Sequence, residues 1–296
     1  MHLRAIKTWI EEDKKYISIK ATEKVLSLVT TEDCVTVTGN AGTGKTALIR
    51  HIAHELLCQR YEIVPVNDPQ EIEKYYDDNV KQVFIIDDAC GVHTVDDNKR
   101  IKWKDYSQII ENNLKHSKAK LLVSARLIVS NDKQFQDIGL LCKNIVNLSA
   151  QTYSLLEEDR VKIFHSHFEK SYSDLGISKQ SLNAHSHFPL LCRLACHQFD
   201  LSKKLKQTPG LNLSEYFLAP IDFYKNEIRS LQLESPLSYC VLVLCILCNG
   251  KLPESILSTS RQYADLVKDC CESCGLNRGT SRIKLLEKVA SLEMCI

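Results

Sequence analysis

In 296 residues, 38 lysines and arginines face 37 aspartates and glutamates, so no basic surface for nucleic acid or an anionic membrane is expected. At 44% apolar and 25% charged, the composition is that of an ordinary soluble globular chain with room for two or three domains. The most apolar run, Tyr239 to Cys248, is about half of the roughly 20 residues needed to cross a bilayer.

Met1 to Glu12 mixes polar and charged residues, unlike a secretory leader, so a cytoplasmic location is expected. Trp9 and Tyr16 precede a helix predicted over Ala21 to Val29. They serve either to stack on a nucleotide base or to anchor the N-terminal arm to the core, the commoner fate of an aromatic. Cys34 to Thr38 is a short β-branched run, predicted to be a buried strand. It feeds Gly39-Asn40-Ala41-Gly42-Thr43-Gly44-Lys45-Thr46, which fits the phosphate-loop pattern G-x-x-x-x-G-K-[ST]. Glycines let the backbone curl so that several N–H groups converge on one phosphate. Lys45 is placed to reach the β- and γ-phosphates, and the Thr46 hydroxyl to ligate Mg²⁺. Ala47 to Cys58 has helical spacing, with Leu48, Ile49, Ile52, Leu56 and Leu57 on one face. Its positive end, from Lys45 through Ala47, completes the expected cradle.

A second strand is predicted over Tyr61 to Val66, then an Asp68-capped helix from Pro69 to Tyr76. Val83-Phe84-Ile85-Ile86-Asp87-Asp88 has the form of a Walker B strand, an apolar run buried on both faces and ending in two acids. Asp87 is placed to support Mg²⁺, and Asp88 to polarise an attacking water. Asp88-Ala89-Cys90-Gly91 also spells D-x-x-G, but no Asn-Lys-x-Asp guanine reader accompanies it, so adenine is the expected base. A helix is predicted over Trp103 to Lys115, and a strand over Lys120 to Arg126 that ends in the small polar Ser124 and an arginine. Arg126 is a candidate γ-phosphate sensor, against the plainer role of a surface arginine at a strand end. Asn144 to Leu148 completes five strands alternating with helices, hence a parallel α/β sheet with crossover helices.

From Thr152 the pattern turns helical, through Leu155 to Phe164, Lys179 to Ala184 and the stretch beyond Pro189. His165, His167, His185 and His187 lack acids or cysteines at ligand spacing and read as helix-end residues. Thr208-Pro209-Gly210 is a turn and linker signal. Helices are predicted over Ser214 to Ser230, Pro236 to Asn249, Ser260 to Cys274 and, after the Gly275 stop and the Thr280-Ser281 cap, Arg282 to Leu292. No hairpin succeeds that helix, so the last unit is expected to be partial. Thirteen cysteines sit mostly in apolar runs, as reduced buried thiols do. Cys245-x-x-Cys248 and Cys271-x-x-Cys274 have zinc-like spacing, but the first pair extends a strongly apolar stretch that favours core packing.

The chain resembles the STAND NTPases, particularly the novel STAND NTPase 3 group. The resemblance rests on Trp9 with the Tyr16 region, GNAGTGKT at 39–46, FIIDDACG at 84–91, LLVSARL at 121–127, FPLL at 188–191 and CGLNRGTSR at 274–282. It implies an ASCE/AAA-like P-loop core (1–150), an all-α lid (151–208) and a partial winged-helix-like unit (211–296). It also implies an ATP/ADP switch that ADP holds closed and ATP opens for self-association. In that family a Gly-x-Pro element of the lid contacts nucleotide; Pro189 matches its proline, while His187 stands at the glycine position. Effector and sensor domains normally flank such a core.

The leading expectation is an ATP/ADP-binding switch with slow Mg²⁺-dependent hydrolysis, carried by Lys45, Thr46, Asp87, Asp88 and Arg126. The alternative is a nucleotide-stabilised interaction module without significant turnover, favoured by a second acid that is Asp rather than the longer Glu. A small-molecule phosphotransferase needs an arginine-rich lid, and 151–200 holds only Arg160 and Arg193.

Overall fold

The computed structural model describes residues 2–116, 118–168, 170–204, 213–248, 252 and 263–293. The chain forms two compact units, Met1–Leu218 and Ala219–Ile296.

The first unit is built on a five-stranded parallel sheet: β1 (Cys34–Gly39), β2 (Glu62–Pro65), β3 (Gln82–Ile86), β4 (Lys120–Arg126) and β5 (Ile145–Asn147). Their order across the sheet is β2-β3-β4-β1-β5, which inserts β4 between the phosphate-loop strand and the strand carrying the acids. This is a P-loop core of the ASCE type. Every residue of β1 and β3 is buried, because helices cover both faces. The alternation is strict. Val83 and Ile85 pack with α2 (Lys20–Thr31) and α3 (Lys45–Cys58), whereas Phe84 and Ile86 pack with α4 (Pro69–Tyr75) and α5 (Asp97–His116).

Local chemistry sets the element ends. In α3 the side chains of Leu48, Ile49, Ile52, Ala53 and Leu56 are buried, a helical stripe on the sheet. Leu57, expected on that stripe, stands 37% exposed beside it. Asp68 caps α4 by accepting from the N–H groups of Gln70 (3.0 Å) and Glu71 (3.3 Å), with Pro69 in the first turn. Helix α5 begins six residues before the predicted Trp103, because the Asp96 carboxylate accepts from the Lys99 N–H and starts a polar first turn. Trp103 itself is fully buried, its indole donating to the Ala89 carbonyl at 3.1 Å. Residues 1–20, given no element from sequence, contain α1 (His2–Asp13). Three short helices, α6 (Leu127–Ser130), α7 (Lys133–Gln136) and α8 (Gly139–Cys142), lead from β4 to β5.

Beyond β5 the unit is helical: α9 (Glu157–His167), α10 (Lys179–Asn183), α11 (Phe188–Lys204) and α12 (Leu213–Leu218). Arg160 is only 8% exposed and joins three of these helices. Its guanidinium donates to the carbonyls of Leu182 (2.9 Å) and His185 (2.8 Å) and lies over the Phe188 ring. The Thr208-Pro209-Gly210 linker lies outside the described residues.

The second unit contains α13 (Pro220–Glu234), α14 (Pro236–Leu247), α15 (Ala264–Ser273) and α16 (Arg282–Glu293). The single helix expected from Ser214 to Ser230 is instead two. Pro220 lacks an N–H and its ring excludes the preceding turn, so it opens α13 rather than continuing α12. Part of the span 260–274 is likewise outside the described residues, and α15 is seen from Ala264. Among the described residues no helix is long and apolar enough to cross a membrane.

Candidate nucleotide-binding site

At the carboxyl end of the sheet, β1 runs into the turn 40–44 and then α3. Gly42 (φ +77°) and Gly44 (φ +91°) adopt the left-handed conformation that a Cβ disfavours. Gly39 has a different reason: a Cβ there would lie 2.8 Å from Thr43 Oγ1 and 3.2 Å from Leu148 Cβ. The turn is closed by its own side chains. Thr43 Oγ1 (3.0 Å) and Lys45 Nζ (2.9 Å) both donate to the Asn40 carbonyl, and the Asn40 N–H donates to Ser149 Oγ at 2.9 Å. The first amides of α3, at Lys45, Thr46 and Ala47, have no intrahelical acceptor and face the turn, while Ala41 and Ala47 are exposed.

The acids meet this loop from β3. Strand pairing ends at Ile86, leaving Asp87 and Asp88 just past the sheet rather than within it. Asp87 Oδ1 accepts from Thr46 Oγ1 at 3.0 Å and from the Ser124 hydroxyl. The Asp88 N–H donates to the same Ser124 Oγ at 3.0 Å. One hydroxyl on β4 therefore fixes both acids. Pairing of Ile86 with Val123 puts Ser124 level with Asp87, a consequence of β4 lying next to β3. Sequence reasoning noted Ser124 only as a small polar residue; the hydroxyl within an otherwise apolar buried strand was the available signal.

Asp88 has a left-handed backbone (φ +47°), which aspartate tolerates better than most residues. Its carboxylate lies 3.9 Å from Arg126 Nε, and its carbonyl accepts from Lys99 Nζ at 3.1 Å. Burial, and then the neighbouring Asp87, push the Asp88 carboxyl above the usual range. Burial pulls Lys45 below the usual lysine value, against the attraction of Asp88. Arg126 stands beside Gly39 in the sheet register, with the Asp88 carboxylate as its ionic neighbour.

The helical half reaches the same loop. A Cβ added at Gly42 would lie 2.9 Å from the Cβ atoms of both His187 and Leu190. Pro189, between them, sits in the first turn of α11. Trp9 and Tyr16 are engaged elsewhere on α3: the Arg50 guanidinium covers Trp9 at 4.6 Å, and Tyr16 stacks on His51 with ring centres 4.2 Å apart. They anchor the N-terminal arm. His185 and His187 lie 5.2 Å apart by ring centres, while desolvation holds the pKa of the half-buried His167 down to about 4. Of the two lid arginines, Arg160 is engaged by backbone carbonyls and Arg193 donates to Glu12 at 3.2 Å.

A family model described as Novel STAND NTPase 3 matches residues 16–170, just over half of the chain. Among solved structures, domain III of the Thermotoga maritima replication initiation protein DnaA aligns with TM-score 0.46 and 12% identity, covering 70% of this chain and 94% of that one. AMPPCP-bound DnaA from Aquifex aeolicus aligns with TM-score 0.40 and 14% identity, covering 93% of this chain and 86% of that one. No curated protein matches the sequence.

Proposed function

Because the chain belongs to the Novel STAND NTPase 3 family, we propose that this nucleotide-binding NTPase is an ATP/ADP switch with slow Mg²⁺-dependent hydrolysis. The observation that carries the proposal is the bond series Thr46–Asp87–Ser124–Asp88, which ties the phosphate loop to the acids. Thr46 Oγ1 and the Asp87 carboxylate are hard oxygen donors 3.0 Å apart, the donor chemistry that suits Mg²⁺. These oxygens would hold the ion, which would supply neutralisation of the phosphate charge.

In this reading the backbone of Gly39 to Gly44 and the first amides of α3 hold the phosphates. Lys45 exchanges the Asn40 carbonyl for β- and γ-oxygens. Asp88 orients the attacking water, and Arg126 leaves Asp88 for the γ-phosphate, whose planar edge its fork matches. An Asp88 held by Arg126 until ATP arrives is a physical reason for slow turnover.

Residues 151–208 act as the lid, with Pro189 and its neighbours His187 and Leu190 registering the state of the loop at Gly42. The winged-helix-like unit, expected from 211, is assigned instead to Ala219–Ile296, because Leu213–Leu218 belongs to the first compact unit. To take an open state from rare to dominant, the γ-phosphate must supply about 5.5 kcal/mol of differential affinity. Self-association, flanking effector and sensor domains, and a cytoplasmic signalling role follow from family membership and belong to the proposal.

Thermal melts with ATP, ADP and GTP test the ligand. Adenine nucleotides are expected to stabilise wild type and to lose that effect in Lys45→Ala; stabilisation by GTP alone, or by none, overturns the reading. Turnover is tested by single-turnover hydrolysis. A nucleotide-stabilised module without turnover, favoured by the Asp88–Arg126 pair, predicts equal rates in wild type and Asp88→Asn; the switch predicts a loss of about 100-fold or more in Asp88→Asn.

A further inference from the structure

Among the described residues, half of the eight buried apolar ones that centre the second unit are cysteines: Cys240, Cys270, Cys271 and Cys274, beside Val241, Leu244, Val267 and Leu285. They converge instead of scattering. Cys240 lies on α14, while Cys270 and Cys274, four residues apart at the end of α15, share one helix face. The sulfurs of Cys240, Cys270 and Cys274 all lie within 4.8 Å of one another. Cys240 Sγ is 3.8 Å from Cys270 Sγ and 3.9 Å from Cys271 Sγ. A tetrahedral zinc site with Zn–S bonds of about 2.3 Å places its sulfurs about 3.8 Å apart. We propose that Cys240, Cys270 and Cys274 form a structural Zn²⁺ site, with Cys271, near Cys240 but outside the group of three mutually close sulfurs, the nearest candidate for a fourth ligand.

A further observation favours a metal over simple core packing. A cysteine offers less apolar area than the leucine or valine that would fill the same place, so four of them together make a poor core unless the sulfurs have another use. The ligand set differs from the spacing-based pairing of Cys245 and Cys248 with Cys271 and Cys274. Cys245 and Cys248 are half-buried and stand outside the sulfur group. On binding, each ligating thiol releases its proton to solvent and donates a sulfur lone pair; nothing is oxidised or reduced.

The full chain, purified reduced, is assayed for bound zinc and for Co²⁺ uptake after chelation. The proposal expects about one zinc per chain and, with Co²⁺, a thiolate-to-metal charge-transfer band with intense tetrahedral visible bands. Those bands are lost in Cys240→Ser and Cys274→Ser and kept in Cys248→Ser. A measurement on wild type alone guards against misfolded variants: a chelator should make Cys240, Cys270 and Cys274 newly reactive to a maleimide, mapped by mass spectrometry. A zinc-free chain that gives no cobalt spectrum overturns the proposal. So does a spectrum that depends on Cys248 rather than Cys240, protection unchanged by the chelator, or a Cys240–Cys270 disulfide in the freshly reduced chain.

Discussion

Ser124 is the side chain on which the geometry of the two acids rests. It donates to Asp87 and accepts from the Asp88 N–H, at a point where Asp88 sits in a left-handed conformation. Ser124→Ala removes both bonds, and positioning partners of this kind are typically worth about 10–100-fold in activity or metal affinity. Single-turnover hydrolysis and Mg²⁺ dependence are expected to fall by that much while the fold persists, as far-ultraviolet circular dichroism would register. Asp88 gives a prediction of opposite sign for stability. Its carboxyl is raised by burial and by Asp87, so folding favours the protonated acid. That contribution is complete below the unfolded value of about 3.9 and is lost as pH rises through the folded value, leaving ionised Asp88 a cost at neutral pH. Asp88→Asn should therefore melt higher than wild type near neutrality. The gain should vanish as pH falls below the ordinary carboxylate range, and a gain that is constant with pH would contradict it. The motif residues were readable because phosphate chemistry dictates their type and spacing; Ser124 was not, since its partners come from a strand separated from it by a whole helix.

Helices with one apolar stripe could be read from the sequence; the connections between them could not. The α3 stripe is visible in spacing alone, and so is the Asp68 cap of α4. By contrast, α5 starts on Asp97-Asn98-Lys99-Arg100, which has no apolar period and is helical because Asp96 caps it and the buried Trp103 anchors the next turn. The division at Pro220 was legible in principle, and the amphipathic run on either side obscured it. Arg160 belongs to this scale. From sequence it was one of two arginines that a phosphotransferase lid would need. In the fold it is a staple among α9, α10 and the start of α11, held by the carbonyls of Leu182 and His185. Arg160→Met keeps much of the volume and leaves both acceptors without their donor, at about 1–3 kcal/mol for each buried group. A denaturant melt is expected to show a loss of roughly 2–5 kcal/mol. A near-neutral result would mean that the carbonyls find other donors.

For the whole molecule, two separate sets of buried residues imply two separately addressable stabilities. The sheet core lies within Met1–Leu218, and the cysteine-centred core within Ala219–Ile296. A ligand that binds only the native form stabilises by RT ln(1 + [L]/Kd), about 2.7 kcal/mol at a hundred times Kd. For a unit of this size that corresponds to roughly 5–10 °C in midpoint. Scanning calorimetry with saturating ADP should therefore raise the transition of the nucleotide-binding unit by that amount, and Lys45→Ala should remove the rise. A zinc chelator should act on the other transition and lower it, because a metal bound only in the folded state stabilises by the same relation. The two perturbations separate the two site assignments. Lys45→Ala reports on the phosphate loop whatever the cysteines do, and the chelator reports on the cysteines whatever the loop binds. If the nucleotide-sensitive transition moved with the chelator in Lys45→Ala, zinc would have to sit in the first unit. The thiols at Cys240, Cys270 and Cys274 would then need another explanation.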